Sequence, residues 1–192
     1  MELKLAFFLL FLVAGPCDGA AGQPGMNDDV RTMLSTAPLF FLWGRSYSLE
    51  GNKCHYMQGA GRDPGKPFTY KMYMGYYNNT TLNYTNSTFH VQAAKGKRFQ
   101  LPAFNIMIVT ENGCPVEKGL RYRLLYRDNQ GCYIFRVQGD TTRSKCDVWL
   151  GVGSRGARPV ETLSEECQTR YNSSCANNAT ELSYSSNCPL IK

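Results

Sequence analysis

The chain has 192 residues, of which 43% are hydrophobic and 19% are charged, and this balance excludes a fibrous or wholly disordered protein. The formal net charge is +6 at pH 7, but the lysines and arginines are scattered along the sequence, which argues against nucleic acid as a partner. The 12 tyrosines, 10 phenylalanines and 18 glycines favour strands joined by turns, so the composition predicts one mainly β domain.

The beginning of the chain, residues 1–19, has the pattern of a secretory signal peptide. Lys4 precedes an apolar run over residues 5–13, and small residues follow that run. Cleavage is expected after Gly19, with Ala21 as the alternative position, which leaves a single domain from residue 20 to residue 192. The run is too short to span a membrane, so we predict a secreted protein that has no membrane partner.

Two helices and a series of short strands are predicted along the chain. The first helix covers residues 26–37, with Asn27 or Asp28 as its N-cap, and the second covers residues 159–171, where apolar residues recur at helical spacing. Strands are predicted near residues 39–48, 53–58, 67–77, 80–92, 98–101, 103–110, 120–127, 132–138 and 145–151. An extended tail over residues 181–188 ends the chain. Such a run of strands closes most simply as an eight-stranded antiparallel up-and-down barrel that can hold one small ligand, with a two-sheet sandwich as the alternative.

Asn-x-Ser/Thr sequons agree with export through a glycosylating compartment. They occur at Asn78, Asn79, Asn83, Asn86, Asn172 and Asn178. The first four are clustered, so we expect the segment over residues 78–88 to be exposed and at least two of its sequons to carry glycans. Asn78 and Asn79 are adjacent, and both can hardly be modified in one molecule.

Removal of the signal peptide discards Cys17 and leaves an odd number of cysteines, so one of them should be free, in an intermolecular bond, or paired with Cys17 if cleavage occurs earlier in the chain. The remaining cysteines are Cys54, Cys114, Cys132, Cys146, Cys167, Cys175 and Cys188. No Cys-x-x-Cys pair or Cys/His cluster occurs in the sequence, so we predict no metal site and no cofactor. His55 and His90 are far apart in the sequence and are interpreted as structural or exposed residues.

The order of the cysteines and one strand motif are similar to those of a known protein family. The order of Cys54, Cys132, Cys167 and Cys188, together with the strand Cys-Asp-Val-Trp that begins at Cys146, resembles the tick salivary lipocalins of the histamine-binding protein family. The similarity extends over about residues 26–190. It implies a lipocalin barrel with a short N-terminal helix and with the C-terminal helix packed on the outside.

Disulfide pairing follows from the resemblance for two bonds. The family's common bridges correspond to Cys54–Cys188 and Cys132–Cys167. If Cys146 points outward as Cys132 does, it would meet Cys175 at the end of the second helix, and Cys114 would be left unpaired.

The function that the resemblance implies is sequestration. Family members hold host mediators such as histamine, serotonin or lipids inside the barrel, without chemical turnover, and so suppress the host response at the bite. The sequence has no Gly-x-Ser-x-Gly or His-Glu-x-x-His motif, which agrees with a protein that is not an enzyme. A host protein such as a complement component, bound on the outer surface, is an alternative partner, and the chain is expected to be a monomer.

An amine site needs a carboxylate for charge and aromatic faces for cation–π contact. The resemblance places Asp147 at the position of the family's inward acid, and it places Tyr47 and Glu50 where the family has a tyrosine and an acid after the first strand. Alternation along the later strands sends more candidate ligand-binding side chains inward. These are Trp149, Tyr122, Tyr126, Tyr133 and Phe135.

Alternation also places Arg45 on the inner face of its strand, together with Phe41, Trp43 and Tyr47. A buried cation needs a partner. If Arg45 pairs with Asp147, the acid is already neutralised and an amine site is weakened. If Arg45 is unpaired, it could receive the carboxylate of a fatty acid or leukotriene, so an anionic lipid is the second candidate ligand.

Overall fold

A computed structural model describes most of the chain that follows the predicted signal peptide. The described residues are 29–36, 39–48, 53–96, 104–139, 145–152, 158–175 and 180–191. The predicted signal peptide, the predicted caps Asn27 and Asp28, Glu50, Asn178 and the predicted strand over residues 98–101 lie outside these ranges.

The described residues form two α-helices, nine strands and one short 3₁₀-helix. In chain order they are α1 (Val30–Thr36), β1 (Leu39–Arg45), β2 (Lys53–Arg62), β3 (Thr69–Asn78), β4 (Asn83–Ala94), β5 (Ile106–Glu111), the 3₁₀-helix (Val116–Lys118), β6 (Leu120–Arg127), β7 (Cys132–Val137), β8 (Cys146–Val152), α2 (Glu165–Ser174) and β9 (Glu181–Leu182). Within the described ranges, no helix is both long and apolar enough to cross a membrane.

The first eight strands close into an antiparallel barrel. Each strand from β2 to β7 pairs with the next along the chain, and β1 pairs with β8 on one side and with β2 on the other. Strand β9 adds to β1 through Gly44 and Arg45. The predicted barrel is therefore confirmed, and the alternative of a two-sheet sandwich is excluded because the sheet has no break between its first and last strands.

Helix α1 covers one end of the barrel. Its apolar residues Val30, Met33 and Leu34 are buried in the cluster that fills the interior. The Arg31 guanidinium lies 4.1 Å from the centre of the Phe104 ring. The Asp29 carboxylate accepts the backbone N–H of Arg31 at 2.8 Å and so caps the first turn.

Helix α2 packs on the outside of the barrel, as predicted, but over a different range. It begins at Glu165 rather than at residue 159, because Ser164 is the N-cap and its Oγ accepts the backbone N–H of Cys167 at 3.2 Å. Cys167 and Tyr171 form its buried face. They join a cluster, called here the helix cluster, on the outer face of β7 and β8, whose other buried members are Cys132, Ile134, Cys146, Val148, Leu150 and Cys175.

Three disulfide bonds join these outer elements to the barrel, with the pairing that was predicted. Two of them, Cys132–Cys167 and Cys146–Cys175, attach α2 to β7 and β8. The third, Cys54–Cys188, attaches the C-terminal tail to β2. Cys114 is exposed and unpaired.

The sequon cluster lies on the hairpin of β3 and β4, at the end of the barrel opposite α1. Asn79, Asn83 and Asn86 are exposed. Asn78, by contrast, is half-buried. Asn79 is therefore the better acceptor of the adjacent pair.

Glycan occupancy gives the first testable result. In a eukaryotic host we expect Asn79 and Asn83 to be modified, because both are exposed and a glycan must extend into solvent. Enzymatic deglycosylation in heavy-oxygen water, followed by peptide mass spectrometry, marks each occupied asparagine. The same experiment shows whether Asn172, which is exposed on α2, carries a glycan. Unmarked asparagines throughout residues 78–88 would contradict the expectation.

Candidate ligand-binding site

A cavity of about 360 Å³ lies inside the barrel, towards the end that bears the β3–β4 hairpin. This volume suits one small ligand. Its walls come from β1, β2, β3, β4, β6 and β8. The lining residues are Leu42, Arg45, Tyr47, His55, Tyr56, Met74, Gly75, Tyr76, Thr85, Asn86, Ser87, Phe89, Tyr122, Asp147 and Trp149.

Two opposite charges lie side by side in the wall. Arg45 of β1 and Asp147 of β8 are direct partners in the antiparallel ladder. Both are buried, with exposures of 5% and 3%. The hydroxyl of Tyr47 donates to the Asp147 carboxylate, and the ring of the same tyrosine lies 5.4 Å from the Arg45 guanidinium carbon. Tyr47 therefore contacts both charges.

These charges do not satisfy one another. Among the described residues no salt bridge joins Arg45 to Asp147. Arg45 Nη1, Asp147 Oδ1 and Trp149 Nε1 are all buried atoms without a hydrogen-bond partner in the described part of the chain. A buried polar group without a partner costs about 1–3 kcal/mol, and more when it is charged. Two donors and one acceptor therefore lack partners on residues that line the same cavity.

Burial changes the ionisation of the acid. Removal from water raises the pKa of Asp147 to about 6, although the charge of Arg45 and the hydrogen bond from Tyr47 act in the opposite direction. Burial, followed by the nearby Asp147 charge, raises the pKa of Tyr122 to about 12. Near neutral pH the wall of the cavity therefore carries the Asp147 carboxylate, the Arg45 guanidinium and the neutral phenol of Tyr122.

His55 lines the cavity, although the sequence analysis interpreted it as structural or exposed. Burial, with a contribution from the Arg45 charge, lowers its pKa to about 4, so the ring is neutral near pH 7. The ring Nδ1 is 2.8 Å from Ser183 Oγ. The signal that could have found it is alternation, because Cys54 must face the tail to form its disulfide and the next side chain then points inward.

The aromatic wall is richer than the sequence predicted. Tyr122 lines the cavity, and so do Tyr56, Tyr76 and Phe89, which the sequence analysis did not select. The predicted Tyr133 and Phe135 also point into the barrel, but they belong to its packed core rather than to the cavity wall.

Two predicted site residues lie on the outside of the barrel instead. Trp43 packs in the helix cluster, where its Nε1 donates to the Glu161 carbonyl at 2.7 Å. Tyr126 packs in the same cluster, with its ring 5.8 Å from the Arg170 guanidinium carbon. Neither side chain reaches the cavity.

Register shifts explain both errors. The β1–β8 ladder shifts between Leu42 and Gly44, and the β6–β7 ladder shifts between Leu124 and Tyr126. A β-bulge places two residues opposite one, so the alternation of faces is reversed beyond it. Phe41, before the first shift, also points outward, with its ring centre 5.3 Å from that of Tyr184.

The fold and the cavity define the class of protein. A closed antiparallel barrel with a cavity lined by aromatic rings and a few polar groups is a ligand-binding barrel of the lipocalin type. The chain matches the model of the tick histamine binding protein family over residues 22–189. This match spans most of the sequence, and the protein therefore belongs to that family.

Solved structures that are similar to this chain have low sequence identity to it. The AM182 serotonin complex has 13% identity and a TM-score of 0.57, and the match covers 85% of this chain and 94% of that one. Lobster apocrustacyanin A1 has 12% identity and a TM-score of 0.47, with coverages of 87% and 84%. The tryptamine complex of the amine binding protein of Rhodnius prolixus has 12% identity and a TM-score of 0.42, with coverages of 72% and 70%. Among curated proteins, no sequence match is found.

No group of three or more histidine, cysteine, aspartate or glutamate residues in the described ranges is placed to hold a metal ion.

Proposed function

We propose that this protein is secreted and sequesters a small aromatic amine, such as serotonin or histamine, in the barrel cavity, and that this removal suppresses the host response. The observation that carries the proposal is the buried Asp147 carboxylate, whose Oδ1 has no partner among the described residues. An ammonium group supplies the donors and the positive charge that this oxygen lacks.

The surroundings of the acid support the same ligand class. Tyr47, Tyr122 and Trp149 line the cavity together with Asp147. Aromatic faces attract a cation, with an energy of about 2 kcal/mol when the site is desolvated. Membership of the histamine-binding family and the serotonin complex of a similar barrel also favour an amine.

A fatty acid or leukotriene is the second candidate, because Arg45 Nη1 is also buried and without a partner among the described residues. The carboxylate of such a lipid would bind Arg45, and its chain would lie against Met74, Phe89 and Leu42. The presence of Asp147 beside Arg45 disfavours a simple anion, because two carboxylates would then share one buried cation.

The experiment that tests the proposal compares serotonin with 5-hydroxytryptophol, in which a hydroxyl replaces the ammonium group. We expect titration calorimetry to show at least about 10-fold tighter binding of serotonin, since a charge-assisted hydrogen bond contributes about 1.5–3 kcal/mol. Oleate, titrated in parallel, represents the anionic lipid. Equal affinities for serotonin and its neutral analogue, or binding of oleate alone, would refute the amine proposal.

A further inference from the structure

We infer that the preferred ligand is a zwitterion, an amine that also carries a carboxylate in the manner of an α-amino acid. This inference rests on the proposed amine function and specifies the ligand of the same cavity. The observation behind it is that two opposite charges, Arg45 and Asp147, are buried as neighbours in the cavity and make no salt bridge with one another.

Unpartnered donors outnumber unpartnered acceptors among the residues that line the cavity. The cavity contains two unpartnered buried donors, Arg45 Nη1 and Trp149 Nε1, and one unpartnered buried acceptor, Asp147 Oδ1. An ammonium group has donors only, so it completes the acid and leaves both donors without a partner. A carboxylate has two oxygens, one for each of those donors. An amino-acid group therefore supplies both sets of partners.

The wall of the cavity carries no net charge near pH 7. Among the residues that line it, Arg45 and Asp147 have opposite charges that cancel, and His55 is neutral. A simple ammonium ion would bring a net positive charge into this buried site, and a simple carboxylate would bring a net negative one. Buried net charge is costly. A zwitterion adds both charges and keeps the balance at zero.

The position of Tyr47 leaves the charges of Arg45 and Asp147 available to contact a ligand. Its hydroxyl donates to the Asp147 carboxylate while its ring lies beside the Arg45 guanidinium. The acid is thereby held by a neutral donor, and the guanidinium by a ring face that leaves Nη1 without a hydrogen bond in the described part of the chain. Each charge keeps one site for a ligand.

The test uses pairs of ligands that differ only in the carboxylate: tryptamine and tryptophan, serotonin and 5-hydroxytryptophan, histamine and histidine. For the wild-type protein we expect the amino acid of at least one pair to bind about 10-fold or more tightly than its amine. Arg45→Gln should abolish this preference. Trp149→Phe, which removes the second donor while keeping an aromatic ring, should reduce it.

The control is Arg121→Gln, because Arg121 is an exposed cation on the outer side of β6. This change should leave every ratio as in the wild type. If Arg45→Gln does not fold, the wild-type ratios and Trp149→Phe still decide the matter. Amines that bind as tightly as, or more tightly than, their amino acids would overturn the zwitterion inference and leave the amine proposal standing, whereas failure of every amine and amino acid to bind would overturn both.

Discussion

Asp147→Asn is expected to weaken amine binding by about 10- to 150-fold and, at the same time, to stabilise the ligand-free protein. The first effect follows because the change removes a charge-assisted hydrogen bond of about 1.5–3 kcal/mol. The second follows because the wild-type carboxylate is 3% exposed and is incompletely partnered. Affinity and stability should therefore move in opposite directions.

The stability effect has a defined pH dependence. The pKa of Asp147 is raised from 3.8 to about 6 in the folded protein. A raised pKa of an acid means that the folded state loses stability as the pH rises from about 4 through about 6, because the buried group must then ionise. A shift of this size corresponds to at most about 3 kcal/mol. Near pH 7 the variant should be more stable by up to this amount, and below about pH 4 the difference should vanish.

Denaturant unfolding at several pH values, together with titration calorimetry, measures both effects. Glu117→Gln is the matched control, since Glu117 is an exposed acid in the 3₁₀-helix, and it should change neither quantity. A variant that loses stability near pH 7 would show that Asp147 is a structural partner within the barrel. Unchanged amine affinity would show that the ammonium group binds elsewhere.

Loss of the Cys54–Cys188 disulfide is expected to cost more stability than loss of Cys146–Cys175. The first bond closes a loop with a sequence separation of 134 and the second closes one of 29. Chain entropy then predicts losses of about 5 and about 3.5 kcal/mol respectively. Since ordinary domains are stable by about 5–15 kcal/mol, the first loss should leave the barrel close to its unfolding threshold.

Double cysteine-to-serine variants of each bond, unfolded in urea, measure the difference. The first variant should also loosen the packing of the tail, because Cys54 and Cys188 lie in one cluster with Phe41, Tyr184 and Ile191. Cys114→Ser controls for the chemical change itself, since Cys114 is exposed and unpaired, and it should unfold as the wild type does. A larger loss for the shorter loop would contradict the entropic explanation.

Regular strands made part of the site predictable. The ladder between β7 and β8 runs without a register shift, so simple alternation from the outward Cys132 and Cys146 gives the inward positions of Phe135, Asp147 and Trp149. The barrel itself was predictable for a similar reason, because strands of suitable length follow one another with turn residues between them.

Irregular strands made the positions of the other candidate site residues unpredictable from the sequence. Trp43 points outward in step with Phe41, and the bulge that follows Leu42 then brings Arg45 inward beside Asp147, so Trp43 and Arg45 do not share a face. Gly44 is the only local hint, since glycine within a strand often marks a bulge, but it does not tell which residue is the extra one. Tyr126 was misplaced in the same way by the shift in β6, where no glycine marks the position. The start of helix α2 was predicted too early in the sequence. The spacing of apolar residues does not reveal that Ser164 is the N-cap and that the helix begins at Glu165.

The closure of the barrel has a consequence for how the chain acquires its structure. Strand β1 is completed by β8, with Leu39 opposite Val152, whereas its own neighbour in sequence, β2, meets it at only the three positions Leu39, Phe40 and Phe41. Pairing between such distant segments is slow, since the entropy of closing the intervening loop is lost before the contacts form. Until β8 docks, the growing sheet has two open edges whose backbone groups can pair with another chain. The kinetics of this last step, rather than the stability of the finished barrel, therefore set the risk of aggregation during folding.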